Sequence, residues 1–146
     1  MLIGGSNFGC GSSREHAVWG LQQYGIHAVI ATSFAEIFHG NAMNNQLLLV
    51  TLPPDQVEQL MDESDDANGL SIKIDIAAQT LHSSHVQACF ELMPRHRKMF
   101  LENLDSIGLS LTYQDQITRL AQKHWSQQPW LHNVAEFCTR TGNEPS

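Results

Sequence analysis

Two short apolar runs constrain this chain more than any other feature: Ala28-Val29-Ile30-Ala31 and Leu47 to Leu52, the second broken only by Thr51. Successive apolar residues without polar alternation suit strands covered on both faces, as in parallel sheets packed between helices. The flanking segments carry helix marks. Ser12 as N-cap and Glu15 three residues later form a capping box for a helix through Ala17, Leu21 and Tyr24, with Gly25 as its stop. Ser33 is positioned to cap a second helix with Phe34, Ile37 and Phe38 as its core stripe, and Gly40-Asn41 and Asn44-Asn45 read as breakers. Pro53-Pro54 closes the second apolar run and places Pro54 at the first position of a third helix carrying Val57, Leu60 and Met61. Asp62 to Gly69 reads as an acidic surface turn, and Leu2-Ile3 as the end of a strand ahead of all of these.

From Leu70 the pattern changes. Leu70, Ile72, Ile74 and Ile76 alternate with Ser71, Lys73 and Asp75, the period of a half-exposed strand starting after Asn68-Gly69. Gln79 to Leu92 accommodates two more short strands around Ser83-Ser84. Arg95 to Ile107 reads as a helix with Met99, Phe100 and Leu104 inward, stopped by Gly108. A last helix, Tyr113 to His124, aligns Ile117, Leu120 and Ala121 on one side. The expected class is α/β with a mixed sheet. A length of 146 residues fits one domain, placed at residues 1–132, with residues 133–146 as a disordered tail.

A formal charge of -7 disfavours nonspecific nucleic-acid binding, which depends on clustered Lys and Arg. Charged residues are 16 % of the chain, below the usual quarter or so, which favours a partner-covered surface. Cys10, Cys89 and Cys138 form no CxxC pair and no zinc-like ligand set, so no metal site is expected here, and their odd number fits a reducing compartment. No apolar run reaches the ~18 residues of a membrane span, and the first residues lack the basic start of a signal peptide. The expected location is cytoplasmic, with no membrane and no nucleic-acid partner.

Chemistry concentrates in Asn7-Phe8-Gly9-Cys10-Gly11-Ser12-Ser13-Arg14-Glu15-His16. A glycine-rich loop entering a helix offers free backbone N–H groups and the positive end of the helix dipole. Ser12 and Ser13 add hydroxyls, and Arg14 adds a planar fork for a carboxylate. The segment is neither a P-loop nor a dinucleotide fingerprint, because it ends G-x-G-x-x-R. Two readings of it stand: an anion site for a carboxylate- or phosphate-bearing metabolite, or a loop-to-helix joint with Arg14 as a surface ion-pair partner.

The run Asn7 to His16 with Ala17 and Trp19, followed in order by Tyr24-Gly25, Ser33-Phe34-Ala35-Glu36-Ile37-Phe38, Asn44-Asn45 and Leu104-Asp105-Ser106-Ile107-Gly108-Leu109, resembles the small subunits of 3-isopropylmalate dehydratases. These carry the swivel domain of the aconitase superfamily. The resemblance covers residues 1 to about 132 and implies an aconitase-type swivelling β/β/α domain. It further implies dehydration of 2-isopropylmalate and rehydration to 3-isopropylmalate, in leucine biosynthesis, within a heterodimer whose large subunit carries a [4Fe–4S] cluster. By resemblance Ser12 is the base that takes the proton from carbon, and Ser13 and Arg14 hold a carboxylate of a small dicarboxylate substrate. Asn7, Gly9, Gly11, Glu15 and His16 support the loop, and Cys10 is a small packed residue. Relative to the family the domain is expected to be N-terminally truncated, lacking early strands and a loop that helps choose substrate. Related hydratases acting on homoaconitate or citraconate would share this loop, and a truncated noncatalytic partner-binding subunit would keep its sequence.

Overall fold

The computed structural model of the protein describes residues 1–11, 14–65 and 70–132. The expected tail, residues 133–146, lies outside them, as do Ser12, Ser13 and Asn68-Gly69. The chain divides into two compact units, Met1–Ser106 and Ile107–Ser146.

In the first unit, β1 (Leu2–Gly4), β2 (Ala28–Ala31) and β3 (Leu48–Thr51) form a parallel sheet in the order β1-β2-β3. The register pairs Leu2 with Val29 and Val29 with Leu49. The apolar runs are thus buried parallel strands, as expected: Val29, Ile30, Ala31 and Val50 have no exposed surface. The links are helical, α1 (His16–Gln23) between β1 and β2 and α2 (Glu36–Asn44) between β2 and β3, with α3 (Pro54–Ser64) following β3. Sheet and helices alternate because a parallel strand requires a crossover, and the crossover helix covers the face it passes.

Both crossover helices end in the same way. Gly25 (φ 87°) follows α1, with Ile26 N–H donating to Leu21 O at 3.0 Å and Gly25 N–H to Gln22 O at 2.9 Å. Gln46 (φ 61°) follows α2, with Leu47 N–H donating to Ala42 O at 2.9 Å. Each is a left-handed stop that satisfies the last carbonyls and turns the chain directly into a strand.

Three helix boundaries differ from the sequence reading. Helix α1 starts at His16, with Glu15 as its N-cap in helical conformation and no side-chain cap bond, rather than with Glu15 three residues inside it; Ser12 lies outside the described residues. Helix α2 is capped by Ala35, and Gly40-Asn41 lie inside it, because Ser33 is engaged elsewhere and the α2 backbone ladder outweighs the weak propensity of a Gly-Asn pair. Of the Phe34, Ile37, Phe38 stripe, Phe38 is buried and Ile37 is 57 % exposed. Helix α3 continues to Ser64, so the start of the presumed acidic surface turn is helical, and Glu63 is buried.

The second sheet is antiparallel: β4 (Lys73–Asp75), β5 (Thr80–His82) and β6 (Gln87–Cys89), with Ile74 opposite Leu81 and Leu81 opposite Ala88. The expected mixed character is therefore divided between two sheets. The period-two exposure does run from Leu70 to Ile76, but only three of those residues pair as β4. One core joins the sheets, with Val29, Leu49 and Val50 in the same buried cluster as Leu81, Ala88 and Phe90. Helix α4 (Pro94–Glu102) buries Met99 and ends where Asn103 takes a left-handed φ of 52°. The expected single helix to Ile107 is therefore broken at Asn103, and Gly108 lies inside α5 (Ser106–Leu111) rather than stopping a helix.

The second unit contains α5 from Ile107 on, α6 (Gln114–Gln127) and a 3-10 turn, Pro129–Leu131. Leu109 is buried, whereas Ile117 and Leu120 share one side of α6 and stay exposed. No helix among the described residues is long and apolar enough to cross a membrane.

Candidate functional site

Residues 5–15 connect the carboxyl end of β1 to the amino end of α1. Open α/β sheets bind ligands outside the carboxyl ends of their strands, and this is the loop singled out by its glycines. Its first half is anchored by backbone pairing to the segment that follows β2. Phe8 N–H donates to Ser33 O at 2.9 Å, and Ala35 N–H donates to Phe8 O at 2.9 Å. Asn7 N–H donates to Ser33 Oγ at 2.7 Å, which is the work Ser33 does in place of capping α2. Two left-handed residues shape the bend, Asn7 (φ 53°) and Gly9 (φ 84°).

The Phe8 side chain fixes this half of the loop onto the core. Its ring meets Phe34 edge-on at 6.2 Å and Phe38 edge-on at 5.5 Å. Two glycines are required by that packing. A Cβ on Gly4 would fall 2.5 Å from Phe8 Cδ2, and a Cβ on Gly9 would collide with the Phe38 ring. Gly11 has open space around it, so its role is not steric at the Cβ position. Cys10 and Gly11 are exposed; the expected packed role of Cys10 is thus replaced by a free thiol at the surface. Phe8, the aromatic residue of the loop, is partly buried against the core.

Ser12 and Ser13, expected as base and carboxylate ligand, lie outside the described residues. The chain resumes at Arg14, which is exposed. Ala17 N–H donates to Arg14 O at 3.2 Å and Val18 N–H to Glu15 O at 2.9 Å, so Arg14 and Glu15 form the turn leading into α1. His16, expected within the loop, packs its ring on Trp19 at 4.9 Å instead.

The α1 end of the loop is tied to α2 through Asn45, one of the Asn44-Asn45 pair that read from the sequence as breakers. It satisfies nearby groups: Asn45 Nδ2 donates to Asn41 O at 2.8 Å, and Asn45 O accepts from Gln22 Nε2 at 2.6 Å. It also reaches the loop's helix. Asn45 Oδ1 accepts the Trp19 indole N–H at 3.0 Å, and Asn45 Nδ2 lies 3.5 Å from Glu15 Oε1. A polar pair at a helix end signals a cap in sequence; its contact to another helix does not.

A second group of polar residues stands beside the parallel sheet. His39 and His96 rings meet edge-on at 6.3 Å and line a cavity of about 390 Å³ with Met43, Leu49, Thr51 and Glu91. Burial, the neighbouring His39 and then Arg95 hold the His96 imidazole below its usual pKa. Arg95, Arg97 and Lys98 flank His96 in a basic run at the start of α4, and His96 itself is half-buried.

The aconitase C-terminal domain family matches residues 1–55, the stretch holding the parallel sheet and the loop. The chain is 54 % identical over 137 residues to a 3-isopropylmalate dehydratase small subunit 1 of Chromobacterium violaceum, covering 94 % of this chain and 65 % of the relative. A 3-isopropylmalate dehydratase small subunit of Neisseria lactamica is 42 % identical, with 91 % of this chain and 98 % of the relative covered. A solved structure of 3-isopropylmalate dehydratase from Methanocaldococcus jannaschii superposes with a TM-score of 0.60 at 30 % identity, covering 82 % of this chain and 68 % of that one. The chain spans about two thirds of the length of the Chromobacterium relative and of a Phenylobacterium zucineum one, at 65 % and 66 %.

Proposed function

The chain belongs to the 3-isopropylmalate dehydratase small-subunit family, and we propose that it serves as the small subunit of that hydro-lyase, interconverting 2-isopropylmalate and 3-isopropylmalate in leucine biosynthesis. The observation that carries the reading is the loop that leaves the carboxyl end of β1, anchored at Asn7 and Phe8 to Ser33, in a chain 54 % and 42 % identical to small subunits of this enzyme. In the reaction a proton leaves one carbon as hydroxide leaves its neighbour, giving the unsaturated diacid. Water then adds back in the opposite sense, with the hydroxyl on the other carbon.

In this reading Ser12 takes and returns the carbon-bound proton, and Ser13 and Arg14 hold a carboxylate of the dicarboxylate substrate. A serine hydroxyl is a very weak acid, and it accepts this role only where negative charge is stabilised. Backbone N–H groups of the loop, the Arg14 guanidinium and the start of α1 supply that stabilisation. Asn7, Gly9 and Gly11 shape the loop, and Glu15 and His16 shape the turn into α1.

The [4Fe–4S] cluster of this reading belongs to a large partner subunit, where it supplies the Lewis acid for the departing hydroxyl. The donor set of this chain does not fit one: its cysteines stand at 10, 89 and 138, and among the described residues no three His, Cys, Asp or Glu side chains lie together as ligands. The swivel domain so proposed covers residues 1–132, with residues 133–146 as a tail, and works in the cytoplasm without membrane or nucleic acid.

The test is co-expression with a large subunit from the same genome, anaerobic cluster assembly and an isopropylmalate dehydration assay. Ser12→Ala is expected to lower kcat by about 100-fold or more, the usual worth of a positioned base. Turnover by the wild-type complex of citraconate or homoaconitate alone would overturn the substrate, and undiminished activity in Ser12→Ala would overturn the role of the loop.

A further inference from the structure

The loop from Gly5 to Glu15 is anchored at both ends, but by different means. Its first half is held by backbone pairing and the half-buried Phe8 ring packed on Phe38. Its second half enters α1 without a side-chain cap bond at the N-cap, Glu15. A helix start without a cap frays, and this one carries Arg14 directly ahead of it. From outside the helix, α1 is held by side-chain bonds to the end of α2.

We propose that Asn45 is the positioning residue that sets the α1 end of this loop, at Arg14, Glu15 and His16; the inference rests on the small-subunit reading above. Asn45 sits at the C-cap of α2 and makes contact with α1 at three successive turns. Its Oδ1 accepts from Trp19 Nε1 at 3.0 Å, its main-chain oxygen accepts from Gln22 Nε2 at 2.6 Å, and its Nδ2 lies 3.5 Å from Glu15 Oε1. The same Nδ2 donates to Asn41 O at 2.8 Å, which orients the amide plane. Gln46 after it is left-handed (φ 61°), and Leu47 N–H returns to Ala42 O at 2.9 Å, so Asn45 sits inside a closed helix-stop turn. Trp19 adds the last link, since its indole meets the His16 ring, one turn nearer the loop, at a tilt of 58° and 4.9 Å. An asparagine suits the post because one planar group both donates and accepts. Aspartate keeps the acceptor for Trp19 but loses the donor and places a negative charge beside Glu15.

These bonds lie at an exposed to half-buried seam, so their loss is expected to shift geometry more than stability. In the reconstituted complex, Asn45→Ala should lower kcat about 10-fold with a smaller change in KM, and Asn45→Asp should lower it as well. Trp19→Phe, which deletes the indole donor and keeps the ring, should give a similar loss. The double variant should lose little more than either single one, because both break the same strut. Wild-type kcat in Asn45→Ala, or losses that multiply in the double variant, would overturn the proposal. An inactive wild-type complex would count against the small-subunit reading alone. The positioning claim is then decided on the full chain by the backbone amide resonances of Arg14, Glu15 and His16. Their displacement in Asn45→Ala supports it, and unchanged resonances overturn it.

Discussion

At the residue scale, His96 shows how a neighbour in space overrides a neighbour in sequence. It lies in a run of cationic residues, yet its Nδ1 is buried and finds no hydrogen-bond partner among the described residues, and His39 faces its ring. Burial, then His39, then Arg95 hold its pKa below the usual 6.5. The folded protein thus resists protonation that the unfolded chain accepts, so the unfolded state binds more protons as pH falls below about 6.5. Stability is expected to decline over that range, down to the lowered folded pKa. Thermal unfolding from pH 7 to pH 5.5 should show a shallower decline for His96→Gln than for the wild type. Equal slopes would show that this imidazole does not couple to folding. Gly9 illustrates the opposite case, where the residue type itself announces the constraint: a left-handed φ of 84° beside the Phe38 ring leaves no room for a side chain.

At the scale of elements, the unexpected one is the C-terminal turn of α3. The acidic run there suggested a solvated surface, but Glu63 is turned inward to the hairpin between β5 and β6. Its Oε1 accepts from Ser83 Oγ at 2.9 Å and from His85 N–H at 3.2 Å. A carboxylate thus supplies an acceptor for a tight turn that has too few of its own. Glu63→Ala strands these donors and is expected to cost about 1–3 kcal/mol, the penalty for unpaired buried polar groups. Urea unfolding measures it as a lower midpoint at unchanged slope, and a loss below about 0.5 kcal/mol, within ordinary surface-substitution effects, would mean that water replaces the carboxylate.

At the scale of the whole molecule, the two units are distinct in their interiors. Within residues 1–106, one cluster runs from the parallel sheet into the antiparallel one, so the two sheets share a core. Leu49 in β3 and Leu81 in β5 are both almost fully buried in it. Leu81→Ala and Leu49→Ala are each expected to cost about 2–5 kcal/mol. Because the core is shared, each change should lower amide hydrogen-exchange protection in both sheets together. Loss of protection confined to the sheet that carries the substitution would show two separate cores. The second unit has less to bury: Leu109 is enclosed, while Ile117, Leu120 and Trp130 remain exposed.

The sequence by itself determined the parallel strands, the loop and the family. Continuous apolar runs admit few environments, left-handed stops such as Gly25 are local, and the motif from Asn7 to His16 is contiguous. These are properties that neighbouring residues encode between them. Only the tertiary structure decided where helices begin and which polar groups hold them. Ser33 caps nothing because Asn7 takes its hydroxyl, α4 stops at Asn103 rather than Gly108, and Asn45 faces Trp19 and Glu15 across 26 and 30 residues of chain. For Ser33 and Asn45 the physical reason is the same: a polar side chain has several partners of similar strength within reach, and the one it takes is set by what the fold brings to it; α4 stops through a left-handed backbone turn at Asn103 that returns Leu104 N–H to Met99 O.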